Sequence, residues 1–401
     1  MHIAYMTSEF VTERLHGGLA TYLENIAVIM SRHGHKVTII TLSERAERIL
    51  YKEKIAVIRV PSVSGYNVEG TLERAKATFI DSWNMIRALL QENQKNAIDI
   101  VQTANYRAIG FFRSYQIPTV VRVSSDSAFY RNAELYEFDY NRALSEKTLE
   151  DYMELWCVKR ADAVYAPSRF CASVVGKRSK RKLSVIESPY FNNKCEMDDR
   201  VYQEKLANKK YILFNSSLSR LKGTHVGIWA ANRLLEKYPD LHMVYAGYDC
   251  GLRQKDGNIQ KISDILGKQN KQYGGRVIYL GRLNHEQLFP IIQKALACAL
   301  PSRVDNLPNS CIEAMALGCV VIGTYGASFE QLIRNKENGL LFQRDSVNAF
   351  VKAVDYLMNL SEKGRIQMGK KAADSICRLE PDQVYWRLIS FYENTIRDFK
   401  K

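Results

Sequence analysis

At 401 residues the chain exceeds what one hydrophobic core ordinarily organises, and the length predicts two domains. Its 46% hydrophobic and 25% charged residues are those of a globular protein, and no stretch approaches the roughly 20 apolar residues of a membrane-spanning helix. The formal charge of +14 invites an anionic partner. Zinc-finger spacing, a basic zipper and an aromatic RNA-binding signature are all missing, however, which argues against nucleic acid.

The chain opens with HIAYMT (2–7), a strand-like run; MHIAYMTSEF has neither the charged region nor the cleavage site of a signal peptide. Gly17 and Gly18 then precede an amphipathic helix predicted over 18–33. Paired glycines there can present bare N–H groups to a phosphate, or can simply make a tight turn. KVTIIT (36–41), IAVIRV (55–60), IDIVQT (98–103), PTVVRV (118–123), AVYAP (163–167) and LSVIES (183–188) are further short β-branched runs. Helices are predicted between several of them, over 69–93, 142–160 and 168–176. KRSKRK (177–182) is the one dense basic run. It reads either as a solvated helix end or as a contact with acidic lipid head groups.

After the polar stretch NNKCEMDDRVYQEKLANKK the pattern restarts with YILFNS (211–216), HMVYAG (242–247), RVIYLG (276–281), ACALP (297–301) and CVVIGT (319–324). Strands alternating with helices imply parallel sheets covered on both faces. Two such series predict an α/β fold of two doubly wound domains, 1–195 and 205–380, facing across a cleft. Residues 1–200 hold 28 Lys/Arg against 24 Asp/Glu, which leaves 29 against 19 and a charge of +10 for the second half. Eight scattered cysteines without a Cys-x-x-Cys pair read as reduced cytosolic thiols.

In such sheets ligands sit beyond the carboxyl ends of the strands. No compact Gly-x-Gly-x-x-Gly unit supports a dinucleotide site. YILFNS runs instead into Ser217, Arg220, Lys222 and Gly223, a strand-to-helix junction. Its two cations can neutralise a pyrophosphate, or they make a basic surface turn. The strand around ALACAL runs into PSRVDNLPNSCIEAMALG, a loop holding Asp305, Asn306, Leu307, Pro308 and Asn309 before a helix that carries Glu313. That is the layout of a ligand site.

Together these segments resemble family 4 of the glycosyltransferases, retaining enzymes of the GT-B fold with two Rossmann-like domains. The resemblance runs from HGG through LKG, HMVYAG and RVIYLGRLNHEQL to ENGLLF, with RHGHKVTIIT and KRADAVYAPSRF in the first half. It implies a transferase acting on a nucleoside-diphosphate sugar (UDP-, GDP- or ADP-linked) and a glycan or lipid-linked glycan acceptor. It also implies no metal or other cofactor, a cytoplasmic setting at the inner membrane face, and a final helix, 381–401, that returns to the first domain. By the same resemblance Glu313 binds the ribose, Asp305 holds sugar hydroxyls, and Lys222, with Arg220, stabilises the departing diphosphate. Gly17, Gly18, Ser125, Ser217, Asn306, Leu307 and Asn309 complete the donor site.

Three positions depart from the family pattern. Asp305 replaces a glutamate, Ser217 stands where an arginine is usual, and Arg122-Val123-Ser124-Ser125-Asp126 lacks the customary histidine. A sugar- or partner-binding GT-B protein without turnover and a nonhydrolysing nucleotide-sugar epimerase are the competing readings. For a membrane-associated acceptor, the basic charge would favour an anionic lipid face.

Overall fold

The computed structural model describes residues 1–14, 17–52, 54–63, 70–145, 147–191 and 196–401. The chain divides into two units, one of residues 1–129, 141–191 and 379–401, the other of 130–140 and 192–378.

The first unit is built on eight strands: β1 His2–Thr7, β2 Lys36–Ser43, β3 Glu47–Tyr51, β4 Ile55–Pro61, β5 Ile100–Ala104, β6 Thr119–Arg122, β7 Ala163–Ala166 and β8 Ser184–Val185. Their order is β3-β4-β2-β1-β5-β6-β7-β8. Only β3 and β4 pair antiparallel. Because side chains alternate along a strand, β1 feeds two layers. Ile3 and Tyr5 pack with helix Gly18–Arg32 and with Val384, Leu388 and Tyr392 of the last helix, Pro381–Phe399. Ala4 and Met6 pack on the other face with Met85 and Leu89 of helix Thr71–Lys95.

Local chemistry explains where elements differ from expectation. The helix expected over 142–160 is two, Tyr140–Ser145 and Leu149–Arg160. Thr148 starts the second with a reciprocal cap: its side chain accepts from Asp151 N, and the Asp151 carboxylate accepts from Thr148 N. Strand β3 is not expected from the sequence: only Ile49 and Tyr51 of its five residues pack on the core, between exposed Glu47, Arg48 and Leu50, too short an alternation to read as a strand. The basic run 177–182 is only partly solvated. Arg178 is paired with Asp126 and its side chain is 3% exposed, while Arg181 donates to the carbonyls of Val158, Lys159 and Ala161. Lys177, Lys180 and Lys182 are the exposed cations.

The second unit holds β9 Lys210–Asn215, β10 Leu241–Ala246, β11 Leu252–Arg253, β12 Ile259–Gln260, β13 Val277–Tyr279, β14 Ala297–Leu300, β15 Val321–Thr324 and β16 Leu340–Phe342. Six form an all-parallel sheet ordered β13-β10-β9-β14-β15-β16, and β11 and β12 pair antiparallel. Residues Tyr130–Tyr140 belong to this unit, inside the span assigned above to the first domain. The reason is polar: Arg303 donates to the carbonyls of Ala133, Leu135 and Tyr136. Cys195, at the expected edge of the first domain, lies outside the described residues.

In each sheet the strand order reverses once, between β1 and β5 and between β9 and β14. Doubly wound sheets bind ligands at that reversal.

Glu154, on helix Leu149–Arg160, is a buried carboxyl without a cationic partner among the described residues. Burial is the main cause of its pKa rising from 4.5 to about 8, against hydrogen bonds from Ser127 Oγ and Arg107 N. The folded chain therefore holds a proton that the unfolded chain releases between those values. The stability this group contributes is full below 4.5 and is lost as pH rises through about 8. Glu154→Gln, which stays neutral, is expected to gain on the wild type between pH 5 and 8 in urea unfolding; parallel curves would place the charge elsewhere.

Candidate functional site

The reversal point of the second unit is where the sequence placed its motifs. Strand β9 ends at Asn215 and leads through Ser216–Lys222 to Gly223, which caps helix Thr224–Lys237 in a left-handed conformation with φ 69°. A Cβ on Gly223 would lie 1.8 Å from the carbonyl oxygen of Pro301. Only glycine lets the loop after β9 meet the loop after β14 so closely. The contact continues with Arg303 N donating to Leu221 O at 2.8 Å. Gly247, after β10, plays the same part: a Cβ there would lie 1.8 Å from Ser216 O.

This approach brings Lys222 to Asp305. Their Nζ and Oδ2 atoms are 2.6 Å apart, with the two side chains 23% and 12% exposed. The Asp305 loop is held rigidly. Ser328 Oγ donates to Asp305 O at 2.6 Å, Thr324 Oγ1 donates to Ser302 O, and Asn306 N donates to Asp305 Oδ1 at 3.0 Å. Arg303 and His225 anchor it from below: their Nε and Nε2 atoms lie 2.8 and 2.9 Å from Asp345 Oδ1. Burial lowers the His225 pKa. The Asp345 carboxyl is held low despite its burial, by His225 and Arg303.

The next helix, Asn309–Ala316, starts after Pro308 without a side-chain cap, so Asp305 does not cap it. Glu313, half-buried on this helix, faces a residue the sequence reading passed over. His285 Nε2 lies 3.5 Å from Glu313 Oε1, and this carboxylate raises the histidine's pKa. His285 begins a helix whose N-cap is Asn284, directly after the RVIYLGRL segment. Its place at a strand-to-helix junction of the same sheet was the available signal.

The remaining candidates are distributed unevenly. Leu307 is buried, Asn306 and Ser217 are half-buried, and Asn309 is exposed. Arg220 joins neither Lys222 nor Asp305. It is 1% exposed, donates from Nε to Arg253 O at 2.7 Å, and stacks near the rings of Tyr136 and Trp229. Its Nη1 and Nη2 have no hydrogen-bond partner among the described residues. Burial, and then Arg303, lower its pKa. Gly17, Gly18 and Ser125 belong to the first unit. Gly17 is the exposed, extended N-cap of helix Gly18–Arg32, and Ser125 O accepts from Asn105 Nδ2 at 2.8 Å. His16 of the HGG segment lies outside the described residues.

Two family models match this chain. The model described as Glycosyltransferase Family 4 matches residues 16–189, and that described as Glycosyl transferases group 1 matches 198–375. The chain belongs to this glycosyltransferase family. A D-inositol 3-phosphate glycosyltransferase of Corynebacterium urealyticum is 26% identical over 188 residues, 46% of this chain and 43% of that relative. The match thus spans less than half of that protein's length. Spore coat protein SA of Bacillus subtilis is 20% identical over 366 residues, 88% of each chain. Among solved structures, sucrose-phosphate synthase from Thermosynechococcus elongatus superposes with a TM-score of 0.76 at 17% identity, covering 99% of both chains. Anabaena HepE in complex with UDP gives 0.66 at 16% identity, covering 98% of this chain and 100% of that one. At these identities the likeness shows the fold, which is GT-B.

The loop contact at Gly223 is open to direct test in this glycosyltransferase-family chain. Gly223→Ala adds a methyl in collision with Pro301 O and a side chain at positive φ. It is expected to lower stability by at least about 1–3 kcal/mol in chemical denaturation, the scale of one strained residue. Wild-type stability would show that the two loops separate freely.

Proposed function

We propose that the protein is a retaining glycosyltransferase that moves a sugar from a nucleoside-diphosphate donor to a glycan or lipid-linked glycan, without a metal. The observation that carries this reading is the Lys222–Asp305 pair at the reversal point of the second sheet, with Glu313 one helix away. A donor offers ribose hydroxyls, a diphosphate and sugar hydroxyls. Glu313 accepts from the ribose, displacing His285. Asp305 accepts from the sugar, and Lys222 meets the diphosphate. As the sugar–oxygen bond breaks, negative charge grows on the departing phosphate, and an ammonium already in place stabilises it without reorganisation. Backbone N–H groups of Leu307 and Asn309 add neutral donors; Pro308 has none.

The test is nucleoside diphosphate release from a panel of UDP-, GDP- and ADP-sugars, with and without glycan acceptors. Lys222→Ala is expected to cut turnover by about 10²–10³ with little loss of donor affinity, and Glu313→Ala to weaken donor binding while the fold persists. Donor binding with no release under any condition would support the competing reading of a sugar-binding protein without turnover. No binding of any nucleotide sugar would overturn both.

We further propose that the protein works in the cytoplasm against an anionic membrane face, and that the first unit supplies the contact. Leu72, Phe79, Trp83 and Leu90 share one exposed stripe of helix Thr71–Lys95, interrupted by exposed Lys76 and Arg87. The Phe112 ring lies 4.7 Å from Phe79 and 5.2 Å from Trp83, and Phe111 extends the cluster towards exposed Trp156. Exposed aromatics beside cations suit a bilayer interface. Sedimentation with anionic vesicles is expected to fall at least about tenfold for the Phe79→Ser, Trp83→Ser double variant. Equal binding to neutral vesicles, or none to anionic ones, would remove this surface from the reading.

A further inference from the structure

Besides the Lys222–Asp305 pair, the second unit sets a histidine against a carboxylate that the donor reading uses. His285 is the first residue of helix His285–Lys294, and Glu313 lies on the second turn of helix Asn309–Ala316. Nε2 and Oε1 are 3.5 Å apart, with the imidazole 67% exposed and the carboxylate 19%. Among the described residues the Glu313 carboxylate has no other ionic partner. The buried Phe289 ring, one turn along the helix, lies 5.3 Å from the imidazole and supports it. The backbone is fixed as well, since the Asn284 side chain caps the helix by accepting from Gln287 N at 2.9 Å.

A helix start disfavours a cation, because its unsatisfied N–H groups carry partial positive charge. Glu313 supplies the offset: it raises the His285 pKa despite partial burial. No other charged group acts on the ring among the described residues. Its chain neighbours Arg282 and Glu286 are exposed. On the segment packed along the same helix, Asp198 and Arg200 pair with each other at 2.8 Å. A pair so exposed is weak, and neutral hydroxyls can compete for its carboxylate. It also contains a histidine, the side chain whose charge ordinarily changes between about pH 5 and 8.

We propose that His285 is a positioning residue that makes donor binding depend on pH. As an imidazolium it holds the Glu313 carboxylate; as a neutral ring it yields that carboxylate to the ribose. The proposal rests on the reading of Glu313 as the ribose ligand. In the empty chain the carboxylate holds the histidine's pKa above its ordinary value. A ribose that takes the carboxylate lets that pKa fall back. Binding then expels a proton, and it tightens as pH rises through the interval between the two values.

The test is calorimetric titration of the whole chain with UDP-, GDP- and ADP-glucose, whose diphosphates have no ionisation of their own near neutrality. Affinity for the tightest of the three is expected to rise about two- to fivefold from about pH 5.5 to about pH 8, the scale of an exposed ion pair. His285→Gln, a substitution at an exposed position, should bind it equally across that range. A second measurement needs no donor. The imidazole resonances of His285 should titrate above the ordinary histidine range in the wild type and fall back in Glu313→Gln. A nucleotide sugar bound with the same affinity at every pH, or a slope that His285→Gln keeps, would overturn the proposal and leave the donor reading standing. A His285 titration that Glu313→Gln does not move would overturn it too. Binding of none of the three would instead remove the donor reading, and this pH dependence with it.

Discussion

The second unit depends on one close approach, the loop after β9 lying against the loop after β14. A parallel sheet places both loops at the same edge but does not bring them into contact. Contact requires a residue without a side chain at 223, because Pro301 O occupies the position of the missing Cβ. Once the loops touch, the ammonium of Lys222 and the carboxylate of Asp305 are 2.6 Å apart and largely screened from water. Each partner satisfies the other's charge. Asp305 is one methylene shorter than the glutamate usual in the family, so reaching Lys222 depends on the loops lying this close.

The rest of the second unit keeps this pair in place. Asp345 takes hydrogen bonds from His225 and Arg303, and Arg303 also fixes the backbone of residues 133–136. A single guanidinium thus joins the Asp305 loop to a segment distant in sequence. This is why Tyr130–Tyr140 belongs to the second unit although strands of the first flank it in the chain.

Strand and helix alternation was legible because it depends on short-range period, and the site motifs were legible because they follow strand ends. The pairing of Lys222 with Asp305, 83 residues apart, was not a matter of spacing; the family resemblance put both in one site. His285 was missed because its only signal was position: it follows a strand end, but no residue pattern around it names a partner. It matters only once folding sets it 3.5 Å from Glu313. Arg220 shows the opposite failure. Two residues from Lys222, it reads as part of one basic turn, yet the turn sends it inward to Tyr136 and Trp229. The KRSKRK run failed in the same way, since helix geometry turns Arg178 towards Asp126.

These cases change the meaning of the net charge. A count of +14 suggests a basic exterior. Several guanidiniums are instead internal, and they divide into two kinds. Arg303 and Arg178 are neutralised by carboxylates and act as fasteners. Arg122 and Arg220 are not: among the described residues neither makes a salt bridge, and each is buried against an aromatic ring. A buried cation without a carboxylate partner is held at a cost in stability. One such arginine lies at the reversal point of the first sheet, and the other follows β9, at the reversal point of the second. The chain thus places a buried guanidinium at the reversal point of each of its two sheets.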